Sequence, residues 1–216
     1  MQRQEPDPVP SNTTQVSVTD DQIREKYLER AIRELNTFAH DLRACTACPR
    51  GQTTPVLGSG HPQADIMLIK YSARASEVEE GVAFYGRSGN ALMKSLKRLD
   101  IDPLAIYGTL CVKCAVPEPE LADPGCVARL AEEIEIVRPK ILVLMGEETV
   151  ATLNELELPL SGPVTWEPGK IQRLTPTRQV LTVPNIDEAL DDDADKRAFW
   201  SAFRELGSWW QGLPPY

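Results

Sequence analysis

The chain has 216 residues, of which 42% are hydrophobic and 25% are charged, and these values predict one soluble domain with a core of its own. Its net charge of −9 argues against a protein that coats nucleic acid by bulk electrostatic attraction. No run of residues approaches the roughly 18 apolar positions of a membrane helix, and no apolar segment typical of a secretory signal opens the chain. We therefore expect a cytoplasmic protein without membrane contact.

The amino-terminal part divides into a polar tail and a long helix. Residues 1–18 are rich in Pro, Gln and Thr and show no periodicity, which predicts a disordered tail. Thr19 precedes two acidic residues and is suited to cap a helix. Apolar residues then recur every three or four positions as far as Leu42, which predicts an amphipathic helix. This helix delivers Cys45 and Cys48 at its carboxyl end.

Short apolar runs alternate with helical patterns in the rest of the chain. Strands are predicted at 64–70, 106–112, 140–145, 171–174 and 179–183, and helices at 90–99, 126–137, 147–156 and 194–210. This alternation predicts that residues 19–216 form a single α/β domain, with a mostly parallel central sheet between two helical layers (α/β/α). In such folds the functional site lies at the carboxyl ends of the strands.

Positive charge is concentrated in residues 41–114, which hold nine basic and seven acidic residues. The acidic surplus lies elsewhere. One hypothesis is a local face that binds the phosphates of DNA, and the alternative is an ordinary solvated surface of mixed charge. A protein partner is equally compatible with this composition.

Five cysteines form the most distinctive pattern. In a reducing compartment, clustered cysteines favour metal binding over disulfides. A zinc site made of two C-x-x-C pairs is one interpretation, but Cys111 and Cys114 point to opposite faces if both lie in a strand. Cys126, at a predicted helix start, is freer to converge with Cys45, Cys48 and Cys114. That set suits a [4Fe–4S] cluster as well as zinc, and spacing alone does not separate the two.

A family resemblance is carried by five stretches in this order: ACTACPRG, GSGHPQADIMLI, FYGRSGNALMKSL, YGTLCVKC and RPKILVLMGEETVATL. Together they resemble the family-four uracil-DNA glycosylases, which carry an iron–sulfur cluster, over roughly residues 42–190. The resemblance implies a three-layer α/β/α fold and hydrolysis of the N-glycosidic bond of a wrong or damaged base flipped out of DNA. It also implies a [4Fe–4S] cluster on Cys45, Cys48, Cys114 and Cys126, with Cys111 an ordinary buried thiol.

The motifs that carry the family's chemistry are replaced. The first catalytic motif of the family reads approximately Gly-Glu-Ala/Gly-Pro-Gly, and residues 70–74 read KYSAR. Leu110 stands where the family has the asparagine that reads uracil, and Asn185 stands at the histidine of its His-Pro-Ser motif. Phe84, at the base-stacking position, is retained and is followed by Arg87, so these two are the predicted substrate-binding residues.

These replacements remove the groups that catalysis needs. Losing an amide at the base edge costs discrimination of order 10⁴, and losing an oxyanion donor costs roughly 10²–10³ in rate. We therefore predict a DNA-damage-related binding or partner protein in which ordinary uracil excision is lost. An active glycosylase with a rebuilt site is the first alternative, and a metal-stabilised interaction module without a nucleic-acid role is the second.

A rebuilt site would draw on polar residues predicted to meet at the strand ends, namely Lys70, Tyr71, Arg74, Asn185 and Asp187. Tyr71 and Asn185 are the catalytic candidates. Lys70 could serve as a Schiff-base nucleophile, although an exposed lysine at a strand end is the expected role. Glu77, Glu79 and Glu80 are expected in a solvated loop.

Overall fold

The computed structural model of the protein describes residues 19–51, 53–118, 121–156 and 158–214. The predicted tail, residues 1–18, lies outside these ranges. The helices are α1 (Asp20–Ala44), α2 (Ala75–Glu80), α3 (Arg87–Arg98), α4 (Pro124–Val137), α5 (Glu147–Glu155), α6 (Ile186–Ala189) and α7 (Asp193–Gln211), with a 3₁₀ turn at Pro103–Ala105. The strands are β1 (Ser59–Gly60), β2 (Ile66–Lys70), β3 (Ile106–Leu110), β4 (Ile141–Met145), β5 (Ile171–Arg173) and β6 (Gln179–Val183).

The six strands form one sheet in the order β1-β3-β2-β4-β6-β5. The four inner strands are parallel to one another, and the short edge strands β1 and β5 pair antiparallel. All five residues of β2, β3 and β4 are buried, as is typical of parallel strands that are covered on both faces. Strands β3 and β4 lie on opposite sides of β2, so the order in which successive strands are added to the sheet reverses at β2. In sheets of this kind, ligands bind at the carboxyl ends of the strands next to such a reversal.

Two apolar clusters hold the helices against the sheet. On one face, Leu130 and Ile134 of α4 and Leu153 of α5 pack against the strands. On the other face the cluster includes Leu92 of α3 and Phe203 of α7. Helix α1 packs against α4. The predicted α/β/α fold with a mostly parallel sheet is confirmed. Within the described ranges, no helix combines the length and the apolar character that crossing a membrane requires.

The sequence pattern located most of the helices and strands and missed three short ones. Every predicted helix and strand is present, and Thr19 caps α1 as expected, its hydroxyl accepting a hydrogen bond from the backbone N–H of Gln22. Strand β1 and helices α2 and α6, of two to six residues, were not predicted. Helices of four and six residues are too short to show a helical period, and β1 has only two residues.

Candidate functional site

Three elements bring the predicted metal ligands together. Cys45 is the carboxyl-terminal cap of α1, Cys114 follows β3, and Cys126 lies in the first turn of α4. The thiols of Cys48, Cys114 and Cys126 are buried and lie within 4.8 Å of one another. Cys45 is partly exposed and lines the same cavity of about 230 Å³, although its thiol does not lie within 4.8 Å of all three others.

Hydrogen bonds around this cavity favour a thiolate at Cys126, whereas burial raises the pKa of Cys48. The backbone N–H of Asp123 donates to the Sγ of Cys48 at 3.3 Å. A hydrogen bond between the thiols of Cys114 and Cys126 lowers the pKa of Cys126 to about 5 and raises the pKa of Cys114. Arg50 donates to the carbonyl oxygen of Cys45 at 2.7 Å, which holds the C-x-x-C loop in shape. Sulfur ligands in such surroundings fit zinc or an iron–sulfur cluster.

Cys111 does not belong to this group. It is fully buried in the core cluster beneath α4 and α5, whereas Cys48, Cys114 and Cys126 form a separate cluster. Burial raises the pKa of the Cys111 thiol to about 12. The structure therefore does not bring together the two C-x-x-C pairs that a zinc site of that kind would use, and Cys111 is a buried thiol, as the family resemblance implies.

A second group of charged residues lies at the carboxyl end of β2. The side chain of Lys70 is only 1% exposed, and its Nζ lies 2.5 Å from Glu77 Oε2 and 2.7 Å from Asp187 Oδ2. These three side chains are called the Lys70 network below. The expectation of an exposed Lys70 was wrong, because the network supplies the opposite charges that make a buried ammonium tolerable.

Glu77 organises the segment between β2 and α3. One of its oxygens accepts the backbone N–H of Arg74 at 2.7 Å, and the other accepts the backbone N–H of Phe84. The expectation of a solvated loop was wrong for Glu77, which is fully buried in α2, whereas Glu79 and Glu80 are exposed. The sequence offered no signal for this role. Nothing in the sequence distinguishes Glu77 from Glu79 and Glu80, and only the direction that α2 gives to each side chain decides which one is buried.

Phe84 stands beside the Lys70 network. The Nζ of Lys70 lies 5.4 Å from the centre of its ring. The ring also covers Gly108 on β3, where an added Cβ would lie 2.6 Å from the ring atom Cδ2, so only glycine fits there. Leu110 is fully buried and packs with Val56 next to Phe84. The surroundings of the predicted base-stacking ring thus include a buried ammonium and apolar side chains.

The other predicted site residues lie in different surroundings. Tyr71 packs against the cluster on the opposite face of the sheet from Lys70. Asn185 caps α6, because its Oδ1 accepts the backbone N–H of Asp187 at 3.0 Å. The guanidinium of Arg87 pairs with Asp191 at 2.5 Å. Of the polar residues expected to meet at the strand ends, the structure joins Lys70 and Asp187 directly, with the Nε of Arg74 at 3.5 Å from Asp187.

Residues 57–206 match the family described as the uracil DNA glycosylase superfamily. This match covers well over half of the chain, so the protein belongs to the uracil DNA glycosylase superfamily, and the resemblance noted in the sequence is confirmed.

Similar curated proteins carry the name type-4 uracil-DNA glycosylase. The one from Sulfurisphaera tokodaii is 30% identical over 122 residues, which are 53% of this chain and 56% of that protein. The one from Pyrobaculum aerophilum is 28% identical over 124 residues, 54% of this chain and 63% of that protein. The one from Saccharolobus solfataricus is 29% identical over 126 residues, 55% and 58% respectively. The aligned segments thus span a little over half of the length of these relatives.

Proposed function

We propose that this protein carries a [4Fe–4S] cluster and binds DNA in a damage-related role without excising uracil. The relatives named type-4 uracil-DNA glycosylases support the link to DNA repair. In this chain the residues that carry the family's chemistry are replaced. This replacement, together with the surroundings of Phe84, supports the loss of uracil excision. The Lys70 network beside Phe84 is the observation that carries the proposed loss of excision.

The thiolates of Cys45, Cys48, Cys114 and Cys126 would hold the cluster. When bound, it supplies a rigid covalent junction between the end of α1, the segment after β3 and the start of α4. Three of these thiols already lie within 4.8 Å of one another, which supports this ligand set. Iron and sulfide analysis of anaerobically purified protein tests the assignment. We expect about four of each per chain, and stoichiometric zinc would contradict it.

The Lys70 network disfavours the stacking of a base on Phe84 at the side where Lys70 lies. A base stacked there would have to displace an ammonium that is 1% exposed and bonded to two carboxylates. Breaking a buried pair of this kind costs about 3–5 kcal/mol. The same burial keeps the Lys70 Nζ away from a sugar carbon, so the network also argues against a Schiff-base role for Lys70.

The groups that would read and activate uracil are also replaced. Leu110 is fully buried and offers neither a donor nor an acceptor to a base edge. The amide of Asn185 is engaged within α6, its Nδ2 donating to Glu188 Oε1 at 3.2 Å and its Oδ1 accepting from the backbone. Neither Leu110 nor Asn185 thus offers a free side-chain donor to a base, which supports the loss of the electrostatic stabilisation that glycosyl transfer requires.

Two measurements on the cluster-containing protein test this proposal. Labelled single- and double-stranded oligonucleotides with one uracil are incubated with excess protein, and we expect no uracil release above buffer. The affinity for the same oligonucleotides is measured at two salt concentrations, and we expect binding that weakens with salt. Phe84→Ala is the control, because release that this variant abolishes belongs to the protein itself and would contradict the proposal.

A further inference from the structure

A cavity of about 530 Å³ lies between α3 and the β1–β3 side of the sheet, and it shares only Phe84 and Gly108 with the site described above. Its floor is apolar and includes Leu68, Leu96 and Ile106. Lys70, Leu110 and Asn185 are not among the residues that line it, so the cavity is distinct from the strand-end positions where the family chemistry is replaced. Its volume is within the range of roughly 300–1,000 Å³ typical of small-molecule sites.

We propose that this cavity binds an unstacked base of single-stranded DNA. The inference rests on the proposed DNA binding and adds the place where the strand is held. Sites for single strands combine an aromatic surface on which a base stacks with cations that follow the phosphates. Aromatic side chains and a side-chain amide line this cavity, and cations follow on the same helix, α3.

Apolar and aromatic side chains are exposed at this mouth. Tyr85 and Met93 both line the cavity, and each is 48% exposed. Phe84 forms part of the wall. Large apolar side chains that are left exposed around a concave site are typical of a binding surface, because covering them with a ligand removes them from water. A planar base offers two apolar faces for this purpose.

The cations come from α3. This helix carries Arg87, Lys94, Lys97 and Arg98 and no acidic residue, in a protein with a net charge of −9. Lys94 and Lys97 are exposed, and neither forms an ion pair with any residue that the structure describes. They lie four and seven positions after the cavity residue Asn90, so the three side chains share one side of the helix. This side is complementary in charge to a phosphate backbone.

Asn90 supplies the polar group that a base edge requires. It is exposed, lines the cavity, and can offer both a donor and an acceptor to a base. Ser59, another polar lining residue, already donates its hydroxyl hydrogen to the carbonyl oxygen of Ala83 at 3.3 Å. The amide of Asn90 is therefore the side chain we assign to the base.

The experiment compares two fluorescent 12-mers of equal charge, oligothymidylate and an abasic oligomer with the same phosphates. Binding to the cluster-containing protein is measured by anisotropy over a range of salt. We expect oligothymidylate to bind about tenfold more tightly, which is the effect of stacking one base. Tyr85→Ala should abolish that preference, and Asn90→Ala should reduce it. Lys94→Ser and Lys97→Ser should each lower the salt slope by about 0.7 for both oligomers.

Matched control variants are available on α1, which lies across the sheet from α3. Tyr27→Ala removes a tyrosine that is 52% exposed, and Lys26→Ser removes an exposed lysine. We expect both controls to bind like the unaltered protein. All the substituted positions are exposed, so the variants are expected to fold.

The outcomes separate the two proposals. Equal affinity for the two oligomers, or a loss in Tyr85→Ala no larger than in Tyr27→Ala, overturns the cavity assignment while leaving DNA binding intact. Free thymidine monophosphate or oligouridylate binding as tightly as oligothymidylate overturns the assignment to a DNA strand. Failure to bind either oligomer contradicts the proposed DNA-binding function itself.

Discussion

Lys70 shows how strongly a buried charge depends on its partners. Its ammonium group is bonded to Glu77 and Asp187, and Glu77 is in turn hydrogen-bonded by backbone N–H groups at Arg74 and Phe84. Each group in this network has its hydrogen-bonding and charge partners only while the others are present. Removing one member therefore leaves the remaining buried groups without a partner, which destabilises the fold.

We predict that Lys70→Met lowers the free energy of unfolding by about 3–5 kcal/mol, because it leaves two carboxylates without their cation. Urea denaturation measures this loss. Lys170→Met is the matched control, since Lys170 pairs with Glu167 at 2.7 Å on the surface, with side chains 59% and 46% exposed. Exposed pairs contribute up to about 1 kcal/mol. Equal losses in the two variants would show that the Lys70 network does not stabilise the fold.

We predict that Cys111 resists alkylation by iodoacetamide at pH 9 in the folded protein and reacts in urea. The thiolate is the reactive form, and burial raises the pKa of Cys111 to about 12. An unfolded chain loses this proton near its ordinary pKa of about 8.5, so folding stability falls by up to about 1.4 kcal/mol per pH unit between these values. In Cys111→Val this part of the decline should disappear, as followed by denaturation at several pH values. Mass spectrometry locates the alkylated residues, and labelling of folded Cys111 would contradict the prediction.

At the scale of elements, a buried polar network joins the parts of the chain that carry the cysteines. Glu133 of α4 accepts hydrogen bonds from Tyr107 and Thr109 of β3, each at 2.7 Å, and pairs with Lys113 at 2.6 Å. The ammonium of Lys113 also lies 5.8 Å from the ring of Phe38 on α1. Lys113 thus contacts α1 and α4 from the segment after β3, and these are the parts of the chain that carry the predicted cysteine ligands.

We predict strong coupling between Lys113 and Glu133 in a double-mutant cycle. Lys113→Met or Glu133→Leu alone should lower the free energy of unfolding by about 3–5 kcal/mol, because each leaves a buried charge without its partner. The double variant should lose far less than the sum of the two single losses. Denaturant unfolding gives the four free energies. The control cycle uses Arg30 and Glu34, an exposed pair on α1 with side chains 57% and 40% exposed, for which we expect additive effects. Additivity at Lys113 and Glu133 would contradict the role of the network.

In the molecule as a whole, the predicted cysteine ligands lie both at the end of α1 and in the α/β sandwich. Helix α1 precedes the sheet in the chain and packs against α4, with Phe38 and Leu42 among its few buried residues. Most of its surface is exposed. A metal held by Cys45 and Cys48 on one side and by Cys114 and Cys126 on the other would therefore contribute a large share of the attachment of α1.

We predict that metal removal by a chelator, or the Cys126→Ser substitution, makes α1 susceptible to protease while the sheet remains protected. Metal-binding free energy contributes directly to the stability of the segments that the metal joins. Limited proteolysis followed by mass spectrometry measures the cleavage sites. Cys111→Val serves as the control, because it removes a cysteine without touching the site. Unchanged protection of α1 after metal removal would contradict this structural role.

The sequence alone determined the long elements, the order of the layers and the family, because apolar periodicity and short motifs are local properties of the chain. It also predicted a set of four cysteine ligands, and the structure brings Cys48, Cys114 and Cys126 of this set together. The tertiary structure decided the surroundings of Phe84. Lys70 and Asp187 are 117 positions apart, and Glu77 differs from its acidic neighbours only in the direction that α2 gives it. Which charges are buried together, and which cavities remain between helix and sheet, depends on distances that the chain acquires only by folding.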